Sequence, residues 1–415
     1  MAVIVAARRT AVCPRGGAFS GLRIEDLGAP VVQAVLADAG LGADRVDEVI
    51  LANALGAGGN PARRVALAAG LPERVAGLTI DRQCAGGLDA ILLARALVDS
   101  GAAQVVVAGG VESYSLRPLR AMPGQGGGPP VPYDQAPFTP WPDRDPEMGA
   151  AAAALAERLG IPAAAQADWA VASHARARAV ADWPEIVPLA GVGRDTFTRA
   201  LTPALAARAP RVAGNITAAT AAVAADAAAL VVVVADPLAG ALGLRLLGGV
   251  TLGGDPLEPG LAPVPAIARA LADLALTPRD LAMAEVMEAY AVQAMACVAG
   301  AGLDPAIVNI GGGALARGHP IGASGAILAV RLFHGLRAGH GLAAIAAAGG
   351  LGTALVVARQ ARDNSAAGRA LATAEVMPAA SAAFTRSPGM NDRQITAASV
   401  SDLPRPQAMP GMPKA

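Results

Sequence analysis

Residues 78–110, LTIDRQCAGGLDAILLARALVDSGAAQVVVAGG, read as strand, turn, helix and strand. Thr79–Arg82 is a short β-rich run, and Leu88, Ile91 and Leu92 fall at helical spacing in a helix over Leu88–Ser100. Gln104–Gly109 is an apolar run of strand length. A helix between two strands is the unit from which layered α/β proteins are built. Working outward, the same alternation gives strands at Val3–Ala6 and Glu48–Ala52 and helices over Ile24–Ala39 and Ala62–Ala69. The second half repeats it less regularly: a helix over Val264–Leu274, a strand at Ala282–Met287, a helix over Val292–Ala299 and a strand at Ile307–Ile310. A helix over Ala323–Ala338 and the apolar pair Ala343–Ala347 and Ala354–Ala358 close it. The pattern predicts a duplicated α/β fold with helices covering a largely parallel sheet.

Composition narrows the chemistry. The 415 residues include 33 basic and 33 acidic side chains, so the formal net charge is zero, and 54% are hydrophobic. A neutral chain has no excess of cations to displace counterions from a phosphate backbone, which argues against nucleic acid as partner. The only lysine is Lys414, so Schiff-base chemistry and a Walker-type phosphate loop have no amine to use. Cys13, Cys84 and Cys297 show no CxxC spacing, and His174, His319, His334 and His340 show no HxxxH or HExxH pattern. Neither a disulfide framework nor a metal site is expected. The uncharged stretch from Gly341 to Ala358 is interrupted by Gly349, Gly350 and Gly352, which fits two buried strands around a turn better than a membrane helix. MAVIVAARRT lacks a basic start before a long apolar run, so a cytoplasmic protein is expected.

Two residues stand where catalysis could sit. Cys84, in DRQCAGGLDA, lies at a helix N-terminus, where free amides and the positive dipole end favour thiolate and could cradle an oxyanion. The alternative is a small buried residue. His319, in GGGALARGHPIGASGA, is flanked by glycines that let the backbone approach a ligand closely; it reads as an acid–base group or as a structural cap of the next helix. Between the halves, GQGGGPPVPYDQAPFTPWPDRDPEMG is turn-rich and precedes an amphipathic run at Ala150–Arg178, an excursion of the kind that covers a site. After Arg359 the periodicity stops.

Together these segments resemble the thiolase family over Met1 to Arg359. The Cys84 segment is similar to the family's nucleophile motif, and NPARRVALAAGLP to the segment preceding it. The run MGAAAAALAERLGIPAAAQADWAVASHARA resembles the loop-domain helices, EVMEAYA the NEAFA motif, and GGGALARGHPIGASG the segment of the catalytic histidine. The resemblance implies a five-layered α/β/α/β/α thiolase fold with a loop subdomain, a pantetheine tunnel beneath that subdomain, and assembly as a homodimer or homotetramer. Residues 1–117 and 206–240 are expected to form the first half, 118–205 the loop subdomain, 241–359 the second half, and 360–415 a disordered tail. No permanently bound cofactor is expected; the thioester of coenzyme A or of an acyl-carrier protein's phosphopantetheine arm is the implied substrate.

The departures from the family matter as much. Members that run the reversible Claisen reaction carry a second cysteine in a CxG motif, which alignment places at Ala346, with Ala348 at its glycine. The NEAFA asparagine falls at Met287. In GNITAATAAVAADAAAL, similar to the pantetheine-contacting run, the serine falls at Ala222 and its glycine at Val223. Losing a positioned general base typically costs about 10²–10⁴ in rate. The resemblance then implies catalysis by Cys84 and His319, backbone oxyanion donors at Cys84 and Gly350, and a substrate wall including Met148, Ala222, Met287 and Ala346. The expected function is an acyltransferase that esterifies Cys84 and passes the acyl group to a carbanion formed by decarboxylation, or to an amine or alcohol, in specialised biosynthesis. The alternatives are a non-catalytic scaffold for a pathway partner protein and a slow thioesterase.

Overall fold

The computed structural model describes residues 1–360 apart from 57 and 240–242; the expected tail lies outside the described residues but for its first residue. The strands that organise it are Ala2–Thr10 (β1), Glu48–Ala52 (β2), Leu78–Ile80 (β3), Val105–Glu112 (β4), Ala225–Ala235 (β5), Leu244–Gly253 (β6), Leu281–Val286 (β7), Gly339–Ala347 (β8) and Leu351–Arg359 (β9). They run in the order β7-β8-β9-β6-β1-β5-β4-β2-β3. The two halves meet where β1 pairs antiparallel with β6, Val3 opposite Arg245.

The sheet is mixed, which corrects the largely parallel expectation. β2 runs parallel to β3 and β4, and β7 parallel to β8. The central pairs β1·β5, β4·β5, β6·β9 and β8·β9 are antiparallel. Antiparallel neighbours can be joined by a short connection, as β8 and β9 are. The β8–β9 connection is a turn in which Gly349 and Gly350 take φ of 79° and 77°, the left-handed region that glycine enters without a Cβ penalty.

Eight helices place these strands in layers: Ile24–Ala39 (α1), Pro61–Ala68 (α2), Gly86–Asp99 (α3), Met148–Arg158 (α4), Ala163–Ala179 (α5), Pro263–Ala272 (α6), Ala291–Gly300 (α7) and Ile321–Gly335 (α8). α3 and α8 pack on each other and on strands of both halves, while α1 and α2 cover the outer face of the first half. α6 and α7 cover the second. The resulting order is helix, sheet, helix, sheet, helix. α3 leads into β4 as α8 leads into β8, and each of those strands pairs antiparallel with its successor, which is the internal duplication in structural terms.

The strand expected at Ile307–Ile310 does not form. Asp304 caps a 3₁₀ turn over Pro305–Ile307, Asn309 takes a positive φ of 47°, and the segment makes only an isolated bridge, Ala284 to Val308. The amphipathic run is two helices, α4 and α5, divided at Gly160 and Pro162. Proline fixes φ at a helix start and glycine ends the preceding helix cheaply. Among the described residues no helix is long and apolar enough to cross a membrane.

Candidate active site

Glycines bring the two central helices together at their starts. A Cβ on Gly87, in the first turn of α3, would lie 2.7 Å from the Ala326 nitrogen of α8. One on Gly325 of α8 would lie 2.5 Å from the Leu88 nitrogen of α3. Backbones that touch leave no room for side chains, so the residues just ahead of both helices converge. These are Cys84, in the 3₁₀ turn Gln83–Ala85, and His319, two residues before α8.

Cys84 Sγ lies 3.1 Å from His319 Nε2. The far side of the ring settles the proton. The Ser324 hydroxyl donates to the Pro320 carbonyl at 3.0 Å, so its oxygen accepts from His319 Nδ1–H at 2.7 Å. That tautomer leaves the Nε2 lone pair facing the thiol. The His319 N–H also donates to the Val223 carbonyl at 2.7 Å, tying the residue to the sheet.

Burial sets the resting charges. Desolvation pushes the Cys84 thiol up to about 12, against the pull of its own N–H and that of Ala348; the carboxylates of Glu112 and Asp81 add to the rise. Burial also pushes His319 down to about 4. Each group is disfavoured in its charged form, so the pair rests as thiol and neutral imidazole. The thiolate that a helix terminus favours is opposed here by desolvation of the sulfur, which outweighs the amides around it. Gln83, just before Cys84, holds a positive φ of 49°. Its N–H donates to Asp81 Oδ1 at 2.8 Å, an Asx turn that stabilises this sharp bend.

The sulfur and imidazole open onto a cavity of about 430 Å³. Met148, Ala151, Ala152 and Leu155 of α4 line one side, and Ala222, Ala289 and Ala346–Ala348 another. Met148, Ala222 and Ala346 are therefore on the wall with Cys84 and His319. Met287 is not. Its side chain is 1% exposed and packs in the core with Ala85, Leu88 and Ala326, while its N–H bonds the Ala344 carbonyl. Gly350 is also off the wall: it sits in the β8–β9 turn, where its carbonyl accepts from Gly254 N–H at 2.7 Å. The second amide directed at the sulfur belongs to Ala348, two residues earlier.

Three groups that the sequence reading did not single out hold this arrangement. Ser324 fixes the imidazole. Glu112, ending the apolar β4, is fully buried and accepts from Asn53 Nδ2 (2.8 Å) and the N–H groups of Ala54 (3.0 Å), Leu55 (3.3 Å) and Gly322 (2.9 Å). Burial raises its carboxyl to about 7 despite those bonds. Gly322 is in the first turn of α8, so Glu112 fastens the His319 turn to the first half. Glu288 accepts from Trp169 Nε1 (3.1 Å), Ser173 Oγ (2.7 Å), Asn309 Nδ2 (2.9 Å) and Leu315 N–H (3.2 Å), anchoring α5 beneath the site. The available signal was a carboxylate inside or ending an apolar run, which must find donors when buried.

The fold and the cysteine–histidine contact bring a thiol, an imidazole and backbone N–H groups around one cavity, the kinds of group that an acyl-transfer site uses. Family models described as the N-terminal and C-terminal domains of thiolase match residues 2–236 and 244–359. The chain belongs to the thiolase family. It is 38% identical over 390 residues to the acetyl-CoA acetyltransferase of Cupriavidus necator, covering 86% of this chain and 99% of that one. Among solved structures, the acetyl-CoA acetyltransferase of Bacillus anthracis superposes with TM-score 0.78 at 31% identity, covering 86% of this chain and 98% of that one. The Acat5 thiolase of Ascaris suum in complex with coenzyme A superposes with TM-score 0.79 at 27% identity, covering 86% and 99%.

Proposed function

We propose that the protein is an acyltransferase that takes an acyl group from a coenzyme A or carrier-protein thioester onto Cys84 and passes it to a second substrate without a cysteine base. The acetyltransferase names of its relatives and the coenzyme A bound to the Ascaris thiolase support the reaction class and the donor. The observation that carries the reading is the 3.1 Å contact between Cys84 and the unprotonated His319 Nε2, facing a wall on which residue 346 is alanine.

Acylation balances on these residues. As the sulfur attacks the thioester carbonyl, its proton passes to His319 Nε2. The N–H groups of Cys84 and Ala348 stabilise the oxyanion that develops beside them. Collapse breaks the donor's C–S bond, and His319 returns the proton to the departing thiolate. Removing a proton from carbon is a different task. The resemblance assigns it to a cysteine at position 346, and an alanine methyl offers no base. The finer reading, a specialised transferase rather than a reversible thiolase, rests on that substitution. Leu119, Met122, Val131 and Trp141 stand exposed on and beside the hairpin Arg120–Met122 and Val131–Tyr133, which supports a homo-oligomer.

The test is intact-mass measurement after incubation with a panel of acyl thioesters. An acyl-sized increment that disappears in Cys84→Ala supports the reading. No increment with any donor supports the scaffold instead.

A further inference from the structure

Asp81, Asp134 and Glu258 are the carboxylates on the cavity wall. Two are neutralised by arginines: Asp134 by Arg117 at 2.7 Å and Glu258 by Arg158 at 2.7 Å. Asp81 has no ion-pair partner within 4 Å among the described residues. Its carboxylate accepts from Gln83, through the N–H at 2.8 Å and Nε2 at 3.1 Å and 3.2 Å. Arg120, the arginine on the cavity wall, hydrogen-bonds the Asp134 carbonyl and lies over the Tyr133 ring at 5.3 Å; its charge reaches Asp81 and partly offsets it without forming an ion pair. Asp81 is also close enough to Cys84 for its charge to disfavour the thiolate. A carboxylate without an ion pair, three residues before Cys84 and on the same cavity, has the charge to hold an ammonium there, and desolvation, which raises the carboxyl and lowers the ammonium, brings the two close enough in basicity for a proton to pass.

We propose that Asp81 recruits and deprotonates a primary-amine acceptor, so that the acyl group leaves Cys84 as an amide. This rests on the acyl-enzyme reading above. After coenzyme A departs, the acceptor ammonium gives one proton to Asp81, and the free amine attacks the Cys84 thioester. The C–N bond forms, a second N–H proton passes to His319 Nε2, and the C–S bond breaks. Cys84 sulfur takes the proton from His319, and Asp81 releases its own to solvent. Partial burial raises the Asp81 carboxyl, which suits a proton acceptor.

The test begins with wild-type protein acylated at Cys84 by whichever thioester labels it. Its discharge by 1,4-diaminobutane, 1,4-butanediol and N-acetylcysteamine is followed by intact mass, with each rate divided by that of the same nucleophile on a free acyl-N-acetylcysteamine thioester. The diamine is expected to clear the label about 10²-fold faster than the diol, yielding the amide. Asp81→Asn keeps an oxygen for the Asx turn but removes the charge, and should lower the diamine-to-thiol ratio about 10²-fold. That ratio is independent of how much of the variant is folded. Asp81→Glu, which retains a carboxylate, should recover most of it, and serves if the asparagine variant does not take the label. Equal discharge by diol and diamine, or an unchanged ratio in Asp81→Asn, overturns the proposal. A label that forms but resists the diamine sinks this inference alone, whereas absence of any label on wild-type Cys84 sinks the acyl-enzyme reading with it.

Discussion

Two walls of one cavity differ in kind. On one, Cys84, His319 and Ser324 form a hydrogen-bonded series that continues to the Pro320 carbonyl, each atom's role fixed by its neighbour. On the other, Ala222, Ala289 and Ala346–Ala348 present methyl groups, with Tyr290 and Gln293 the neighbouring polar side chains on the cavity. The first wall contains what attack on a thioester requires. The second lacks a side chain able to take a proton from carbon. The contrast separates two halves of a chemistry that a polar second wall would have joined.

The largest expected effect breaks the first wall. His319→Ala should slow acyl labelling of Cys84 by about 10²–10⁴, read as the rate of the mass increment, because a neutral thiol then has no base in contact. Next, Ala346→Cys tests the second wall. It should raise thiolysis of acetoacetyl-CoA by about 10², the lower end of what a positioned base contributes. An unchanged rate would mean that another group already does that work.

The pH dependence sharpens the same contrast. His319 is pushed down to about 4, so the imidazole stays in its neutral, accepting form from pH 8 to about pH 5. Cys84 is pushed up to about 12, so its thiol form also persists across that range. Labelling measured by rapid quench should therefore keep the contribution of His319 across this interval and lose it as pH approaches 4. A fall centred near 6.5 would place the histidine in an ordinary solvated setting. The smallest kinetic effect belongs to Ser324→Ala, which removes one hydrogen bond worth about 1 kcal/mol and should slow labelling about fivefold.

The helix contact beneath both walls has its own test. Gly87→Ala pushes a methyl against the Ala326 nitrogen of α8. Overpacking of this kind typically costs about 1–3 kcal/mol, measurable as a lowered midpoint in urea.

Much of this was legible in the chain because it is local. The strand, turn and helix around Cys84 follow from apolar spacing within residues 78–110, and the glycines near His319 mark a close approach. What was not legible depends on partners distant in sequence. Strand direction follows from which segments pair, so the antiparallel centre carried no local sign. The amide near the sulfur is that of Ala348 rather than Gly350 because Ala348 opens the β8–β9 turn on the cavity wall and Gly350 closes it off the wall, a matter of turn geometry. Met287 aligns with a wall residue, yet its side chain is buried in the core and off the cavity lining, which no periodicity in EVMEAYA reveals. Ser324 and Glu112 act through bonds to His319 and to the first turn of α8, and neither bond has a spacing signature of its own.

The most direct measurement compares two rates on wild-type protein: acyl transfer onto Cys84 from a simple acyl-CoA donor, by rapid-quench intact mass, and steady-state thiolysis of acetoacetyl-CoA with free coenzyme A. The account predicts that thiolysis lags labelling by about 10² or more, as expected when the base for carbon is missing. Thiolysis that keeps pace with labelling would contradict it and make the protein a reversible carbon–carbon acyltransferase despite Ala346.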